Sequence, residues 1–290
     1  MSIVTSQRFA LPQLGVHALV CGPERGTPVV LLHGFPELAE SWREVMPIVA
    51  RDGLRVVAPD LRGYGETDRP RDGYDLATLT GDVVALIDAL GGVAHVVGHD
   101  WGGAIGYEVA ARHPDRVLTL TAVNAPHPQV MARRAWQPAQ LLRSRYMLFY
   151  QLPWLPERLL SRDHGRGLPA RLRAGAVSLE RLTDTRLAPY VAAFSTPARA
   201  RPAIEYYRRA FRALLHPSYW RDARRYPRIR APFRLIWGVE DRALGRELTV
   251  GLDGYFERPV DVQYLDGVGH CAPLEAPARV AALIAEHLRT

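Results

Sequence analysis

The ten residues AHVVGHDWGG (Ala94–Gly103) constrain the fold more than any other stretch of the chain. A short β-branched run ends at His99, an aspartate follows, and WGGAIGYEVAARHP then shows a helical pattern that stops near Pro114. A strand that turns directly into a helix around a small-x-Asp-x-small centre holds the central side chain up at the carboxyl end of a sheet. Gly98, Gly102 and Gly103 read as positions where the backbone passes close to its neighbours or takes an unusual φ. The free N–H groups of the helix start favour negative charge, which suits Asp100. The hexapeptide alone is also satisfied by an aspartate that only caps the helix, because Asp is a favoured N-cap.

The flanking sequence repeats the alternation. PVVLLHG (Pro28–Gly34) and RVVAPD (Arg55–Asp60) read as buried strands. LATLTGDVVALIDALGG places Leu76, Leu79, Val83, Leu86, Ile87 and Leu90 on one helical face, with Gly91 as a stop. VLTLTAVNAP is a further strand. After Pro126 the rhythm breaks, and from His127 to about Arg230 the chain is rich in Arg, Leu and Pro and mostly helical in pattern. FRLIWGVED and VDVQYLDGVGH restore the strands, and ARVAALIAEHL closes with a helix. The expected class is α/β, a mostly parallel sheet flanked by helices. The core spans residues 1–126 and 231–290, and a helical cap is inserted at 127–230.

Charge supports that division. The net charge of +7 is uneven, with 21 Arg against 6 Asp and Glu in residues 131–230, and every basic residue of the chain is Arg. The arginines are dispersed and no nucleic-acid motif surrounds them, so a basic segment seated on an acidic body is expected rather than an anion-steering surface. No run approaches the roughly 20 apolar residues of a membrane span, and no secretory h-region opens the chain. A cytoplasmic monomer or homodimer is therefore the default. Cys21 and Cys271 make no disulfide framework, and no Cys/His cluster has zinc spacing.

Chain order adds to the elbow. Asp100 is followed by Asp241 in IWGVED and by His270 in GVGHCAP, each just past an expected strand. Nucleophile, acid and histidine in that order are the arrangement of the α/β-hydrolase fold. The chain resembles the epoxide hydrolases of that fold over nearly its full length. HGFPELAESWRE (His33–Glu44) is similar to the family's oxyanion-loop segment, and PDLRGYGETDRP (Pro59–Pro70) to its post-strand loop. GHDWGG is similar to its aspartate elbow and VNAPHP (Val123–Pro128) to its entry into the cap.

The resemblance implies a small-molecule epoxide and water as reactants, with no metal or organic cofactor. It implies Asp100 as the nucleophile that forms an alkyl ester, His270 as the base that activates water, and Asp241 as its orienting acid. It also implies two cap tyrosines over the nucleophile, matched by Tyr146 in YMLFYQ and Tyr207 in EYYRRAF, with Tyr150 and Tyr206 as competitors. Backbone N–H groups of Phe35 and Trp101 would form the oxyanion hole. His33, Trp42, Tyr150 and Gln151 are further candidates for the pocket, with His33 read mainly as a shaper of the oxyanion loop. An aspartate suits attack at saturated carbon because water can afterwards cut the ester, whereas a serine would leave an ether.

Glu240 competes with Asp241 for the acid position, and the alternative acid position after the earlier strand holds Asn124, which cannot ionise. His99, Asp60 and Asp68 read as structural. Cys271 replaces the family's usual bulky aromatic after the histidine, and a thiol there would sensitise the site to alkylating reagents. A haloalkane or haloacid dehalogenase is the alternative enzyme, since it uses the same aspartyl ester and Trp101 would suit a halide. Phe35 stands where haloalkane dehalogenases often carry Asn, and DWGGAIGYE lacks the arginines that fluoroacetate dehalogenases use. A non-catalytic binding protein on the same fold is the remaining reading.

Overall fold

The computed structural model describes residues 3–134 and 137–290. One sheet contains β1 (Thr5–Leu11), β2 (Leu14–Cys21), β3 (Pro28–Leu32), β4 (Arg55–Pro59), β5 (Ala94–His99), β6 (Val117–Val123), β7 (Phe233–Gly238) and β8 (Asp261–Leu265). The strand order is β1-β2-β4-β3-β5-β6-β7-β8. β1 with β2 and β2 with β4 are antiparallel, and every later pairing is parallel.

Every residue of β3 and β5 is buried, because helices cover both faces of the sheet. Val30 and Leu32 face one core with Leu86, Ile105 and Leu235, while Val29 and Leu31 face another with Trp42, Val280 and Ile284. Period-two alternation along β3 thus feeds two cores at once.

The hairpin of β1 and β2 was not among the expected strands. Thr5–Leu11 buries only Phe9 fully, so it carries no apolar run to reveal it. Its partner supplies the apolar contribution, with Leu14, Val16, Ala18 and Val20 buried. Pro12 and Gln13 make the turn, and pairing runs from Leu11↔Leu14 to Thr5↔Val20. Asp68 fastens this hairpin by accepting the Gly15 N–H at 2.8 Å and pairing with Arg8.

Between β6 and β7 the chain builds helices, including Arg145–Phe149, Leu155–Leu160, Leu168–Gly175, Asp184–Ala193 and the long Pro197–Leu214. Pro197 opens the long helix, and the Thr196 hydroxyl caps it by accepting from the Arg199 N–H at 3.3 Å. Arginines of this insertion meet acids of the sheet domain: Arg143 with Glu247 at 2.5 Å, and Arg181 and Arg186 with Glu44. These half-exposed pairs join helices of the insertion to loops beside the sheet, each contributing little singly.

Arg208 is different because it is buried. Its guanidinium donates to the carbonyls of Tyr150 at 2.8 Å and Leu152 at 2.6 Å, and pairs with Glu157 at 2.6 Å and Glu205 at 3.0 Å. The long helix is thereby tied to the Tyr150–Glu157 segment, one residue from Tyr207. Arg208→Ala would leave the buried Glu157 without its cation and Glu205 with only Arg209 at 3.8 Å, and should lower stability by about 3–5 kcal/mol in urea denaturation. A loss under about 1 kcal/mol would show that the cluster is not a structural tie.

Candidate active site

The carboxyl ends of β3, β5, β6, β7 and β8 deliver the site. Asp100 follows β5 directly and occupies the N-cap position of the helix Trp101–Arg112, yet its side chain makes no capping hydrogen bond. Its backbone sits at φ 49°, ψ −116°, a sparsely populated conformation that costs roughly 1–3 kcal/mol. The strain therefore lies on the aspartate, and none of Gly98, Gly102 and Gly103 has positive φ. The glycines serve close approach instead. A Cβ on Gly98 would overlap the Gly102 carbonyl, and one on Gly102 would overlap the Leu32 carbonyl. The sheet and the elbow helix touch backbone to backbone, which turns the Asp100 carboxylate outward into a cavity.

Asp100 Oδ1 accepts the Phe35 N–H at 2.9 Å, and Oδ2 stands 3.8 Å from His270 Nε2. The other ring nitrogen of His270 donates to Asp241 Oδ2 at 2.8 Å. Asp241 is saturated with donors: the N–H groups of Ala243 and Leu244 reach Oδ1 at 2.8 Å each, and Asn124 Nδ2 reaches Oδ2 at 2.8 Å. Burial alone would raise the Asp241 pKa, but His270 and these donors outweigh it and hold it below the usual range. Glu240, the competitor for this place, accepts the Val268 N–H at 3.0 Å and braces the turn. Burial likewise opposes charge on His270, but Asp241, Asp100 and Glu37 raise its pKa to about 10. In the free protein the imidazole is held as a cation between two carboxylates.

Two residues of this network carried no function in the sequence reading. Asn124, at φ 42° just past β6, accepts the Gly238 N–H at 3.1 Å through Oδ1 while its amide holds Asp241. Glu37 accepts from His99 Nδ1 at 2.8 Å, and His99 Nε2 donates to the His270 carbonyl at 2.9 Å. Both partners of His99 are acceptors, so both its nitrogens carry protons and it forms a buried ion pair with Glu37. Burial disfavours that charge, and Glu37 outweighs it and raises the His99 pKa. His99 thus links the β3 loop, the elbow and the His270 loop. Asn124 was findable as a polar residue at the end of a central strand, and Glu37 as the acid inside HGFPE.

The cavity above Asp100 has a volume of about 210 Å³ and is lined by Trp101, Tyr146, Tyr207, Met131, Met147 and Leu244 among others. The rings of Tyr146 and Tyr207 meet edge to face with centroids 5.6 Å apart. Burial and the nearby Asp100 charge push both phenols well above their usual pKa, so both are protonated. Tyr206 also lines the cavity, but its hydroxyl donates to the Arg62 carbonyl at 3.0 Å. Among the described residues Arg209 is the one insertion arginine in the lining, and Asp75 lines the same cavity.

His33, Trp42, Tyr150 and Gln151 do not line this cavity. His33 accepts the Leu61 N–H at 3.0 Å and donates to the Gly34 carbonyl at 2.9 Å, so it shapes the loop after β3 as a neutral ring. Trp42 is fully buried in the core on the other face of the sheet. The Tyr150 hydroxyl accepts from Arg171 at 2.8 Å, and Gln151 donates to the Met147 carbonyl at 3.1 Å. Cys271 is 3% exposed, and burial with four nearby carboxylates pushes its thiol far up, leaving it protonated and shielded. The expected sensitivity to alkylating reagents therefore has no structural basis, since the thiolate is the reactive form. Asp60 is buried and accepts from His17 at 2.7 Å and from the Ala39 N–H at 2.9 Å, which anchors the segment after the oxyanion loop.

A family model described as the alpha/beta hydrolase fold matches residues 27–277. The chain is 34% identical to AB hydrolase superfamily protein YfhM of Bacillus subtilis (strain 168), covering 94% of each chain. It is 33% identical to Epoxide hydrolase 4 of Homo sapiens over 94% of this chain and 79% of that protein. The crystal structure of a Bacillus megaterium epoxide hydrolase in complex with an inhibitor superposes with a TM-score of 0.86 at 26% identity, covering 98% of this chain and 100% of that one. No helix among the described residues is long and apolar enough to cross a membrane. Fold, strand-end geometry and these relatives agree: the chain is a hydrolase of the α/β-hydrolase fold and belongs to the epoxide hydrolase family.

Proposed function

We propose that this chain converts an epoxide to a vicinal diol in two steps through an ester on Asp100. The observation that carries the reading is one cavity in which the Asp100 carboxylate faces two protonated tyrosines, with His270 and Asp241 behind it. Asp100 Oδ2 attacks a ring carbon and the carbon–oxygen bond of the ring breaks. Tyr146 or Tyr207 gives its proton to the departing oxygen, which stays on the product as a hydroxyl. Oδ1 becomes the ester carbonyl, already next to the Phe35 N–H. The Trp101 N–H, in the first helical turn where amides lack a backbone acceptor, is the second donor.

Water then adds to the ester carbonyl and His270 takes its proton, with Asp241 holding the ring and stabilising the cation. The tetrahedral intermediate collapses, the diol leaves with a proton from His270, and the water oxygen remains in the Asp100 carboxyl. The ester removes the charge that faces His270 at 3.8 Å, an interaction of about 4 kcal/mol at an effective dielectric near 20. Losing that charge lowers the His270 pKa from its raised resting position toward neutrality. His270 can then release its resting proton to the tyrosinate and act as a base. Ester formation itself switches on the second step.

Trp101 in the cavity wall also suits a halide, so a dehalogenase is the reading to test against. Incubation with a terminal aryl epoxide and, separately, with a haloalkane should give diol without halide release. Asp100→Asn should abolish diol formation, and His270→Gln should stop after the ester. Halide release without diol would move the chain to the dehalogenases. For pH, the ester-hydrolysis rate in single turnover should fall as pH drops through the His270 pKa of the ester. That midpoint should lie well below the one measured for His270 in the free protein by NMR. Equal midpoints would refute the charge switch.

A further inference from the structure

The loop that carries His270 is fastened to the helical insertion, and one buried carboxylate sits in the seam. Glu275 is 4% exposed. Its Oε2 accepts three backbone N–H groups: Gly269 at 3.1 Å, from the residue before His270, and Val177 at 2.6 Å and Ser178 at 3.2 Å, from the insertion. The backbone of His270 itself donates to the Gly175 carbonyl at 2.9 Å. The fit is close: a Cβ added to Gly269 would stand 2.6 Å from that same carbonyl. Arg186 donates to the Leu274 carbonyl at 3.0 Å and Arg181 at 3.3 Å, so the insertion grips the far end of the loop as well.

Asp100 has no part in this seam. Its position is set by the elbow and by the Phe35 N–H, while Tyr207 is carried by the long helix beside the Arg208 cluster. Apart from the hydrogen bond from His99 to the His270 carbonyl, the groups that form the ester and the loop that carries His270 are supported by different contacts. A hydrogen bond to a carboxylate is among the stronger kinds, and three on one oxygen fix the backbone on both sides of the seam.

We infer that Glu275 is a positioning residue for ester hydrolysis, clamping the His270 loop to the Gly175–Ser178 segment of the insertion. The inference rests on the two-step reading above. Glu275 touches no reacting atom. It sets where His270 Nε2 stands relative to the ester carbonyl, and a displacement of about 1 Å at such a group can cost on the order of a hundredfold in rate.

The test separates the two steps. With Glu275→Gln, ester formation in single turnover should stay within about twofold of the unaltered protein. Ester hydrolysis should slow about tenfold or more, so that the Asp100 adduct accumulates in the mass spectrum. Backbone amide exchange at Gly269 and His270 should accelerate in the same variant without substrate. Unchanged hydrolysis would overturn the inference, and so would equal slowing of both steps, the mark of a general loss of structure. If Glu275→Gln does not fold, the Arg181→Gln/Arg186→Gln double variant removes the side-chain grip on Leu274 and leaves Glu275 in place. It should show the same selective slowing to a smaller degree, and no selectivity there would also refute the clamp. An unaltered protein that forms no ester would reject the two-step reading itself, and amide exchange would then report on the clamp independently.

Discussion

The buried pairing of His270 with Asp241, set against Asp100, is the interaction on which the rest of the site depends. Burial opposes every charge in it, so each needs partners close by. Asp241 receives two backbone amides, one side-chain amide and the imidazole, which leaves it ionised and fixed. Beneath it, Glu37 and His99 form a second buried pair that reaches the His270 carbonyl. Strand ends β3, β5, β6, β7 and β8 each contribute one member or its support. Charge compensation and strand geometry therefore satisfy the same positions, and a change at one of them is felt by the others.

The insertion supplies what the sheet cannot. The carboxyl end of the sheet offers carboxylates, imidazoles and backbone amides to the site. Tyr146 and Tyr207 bring phenols over Asp100, and burial with the nearby Asp100 charge keeps both protonated. Arg208 joins the long helix to the segment next to Tyr150, and Glu275 joins the histidine loop to residues 175–178. The insertion is thus docked through its polar backbone groups as much as through apolar contact. Its many arginines mostly face solvent or pair with acids outside the insertion, and among the described residues the cavity wall includes Arg209 alone of them.

Much of this was legible in the sequence, for identifiable reasons. Strands β3 to β7 announced themselves because a strand covered on both faces must be apolar at nearly every position, whereas β8, half-buried from Asp261 to Tyr264, showed itself by the alternation of Val262 and Tyr264 with polar residues. β1 was silent because six of its seven residues are not fully buried, and only pairing with β2 makes it a strand. Asp100, Asp241 and His270 were readable from their order and from the strands before them, and the structure brings the three side chains together. Trp42 was misplaced because a sequence does not say which face of the sheet a loop residue turns to. Asn124, Glu37 and Glu275 were missed since their roles come from what stands opposite in space. No local pattern marks a carboxylate that accepts N–H groups from about a hundred residues away.

In the proposed route water attacks the ester on Asp100 and never the epoxide. One turnover with enzyme in excess over epoxide, carried out in ¹⁸O-labelled water, tests it directly. The account predicts that the first diol released carries no label and that the peptide containing Asp100 gains it, because the new hydroxyl oxygen comes from the carboxylate. Label in the first diol with none in Asp100 would mean that water opens the ring itself, and that the aspartate does not form the ester.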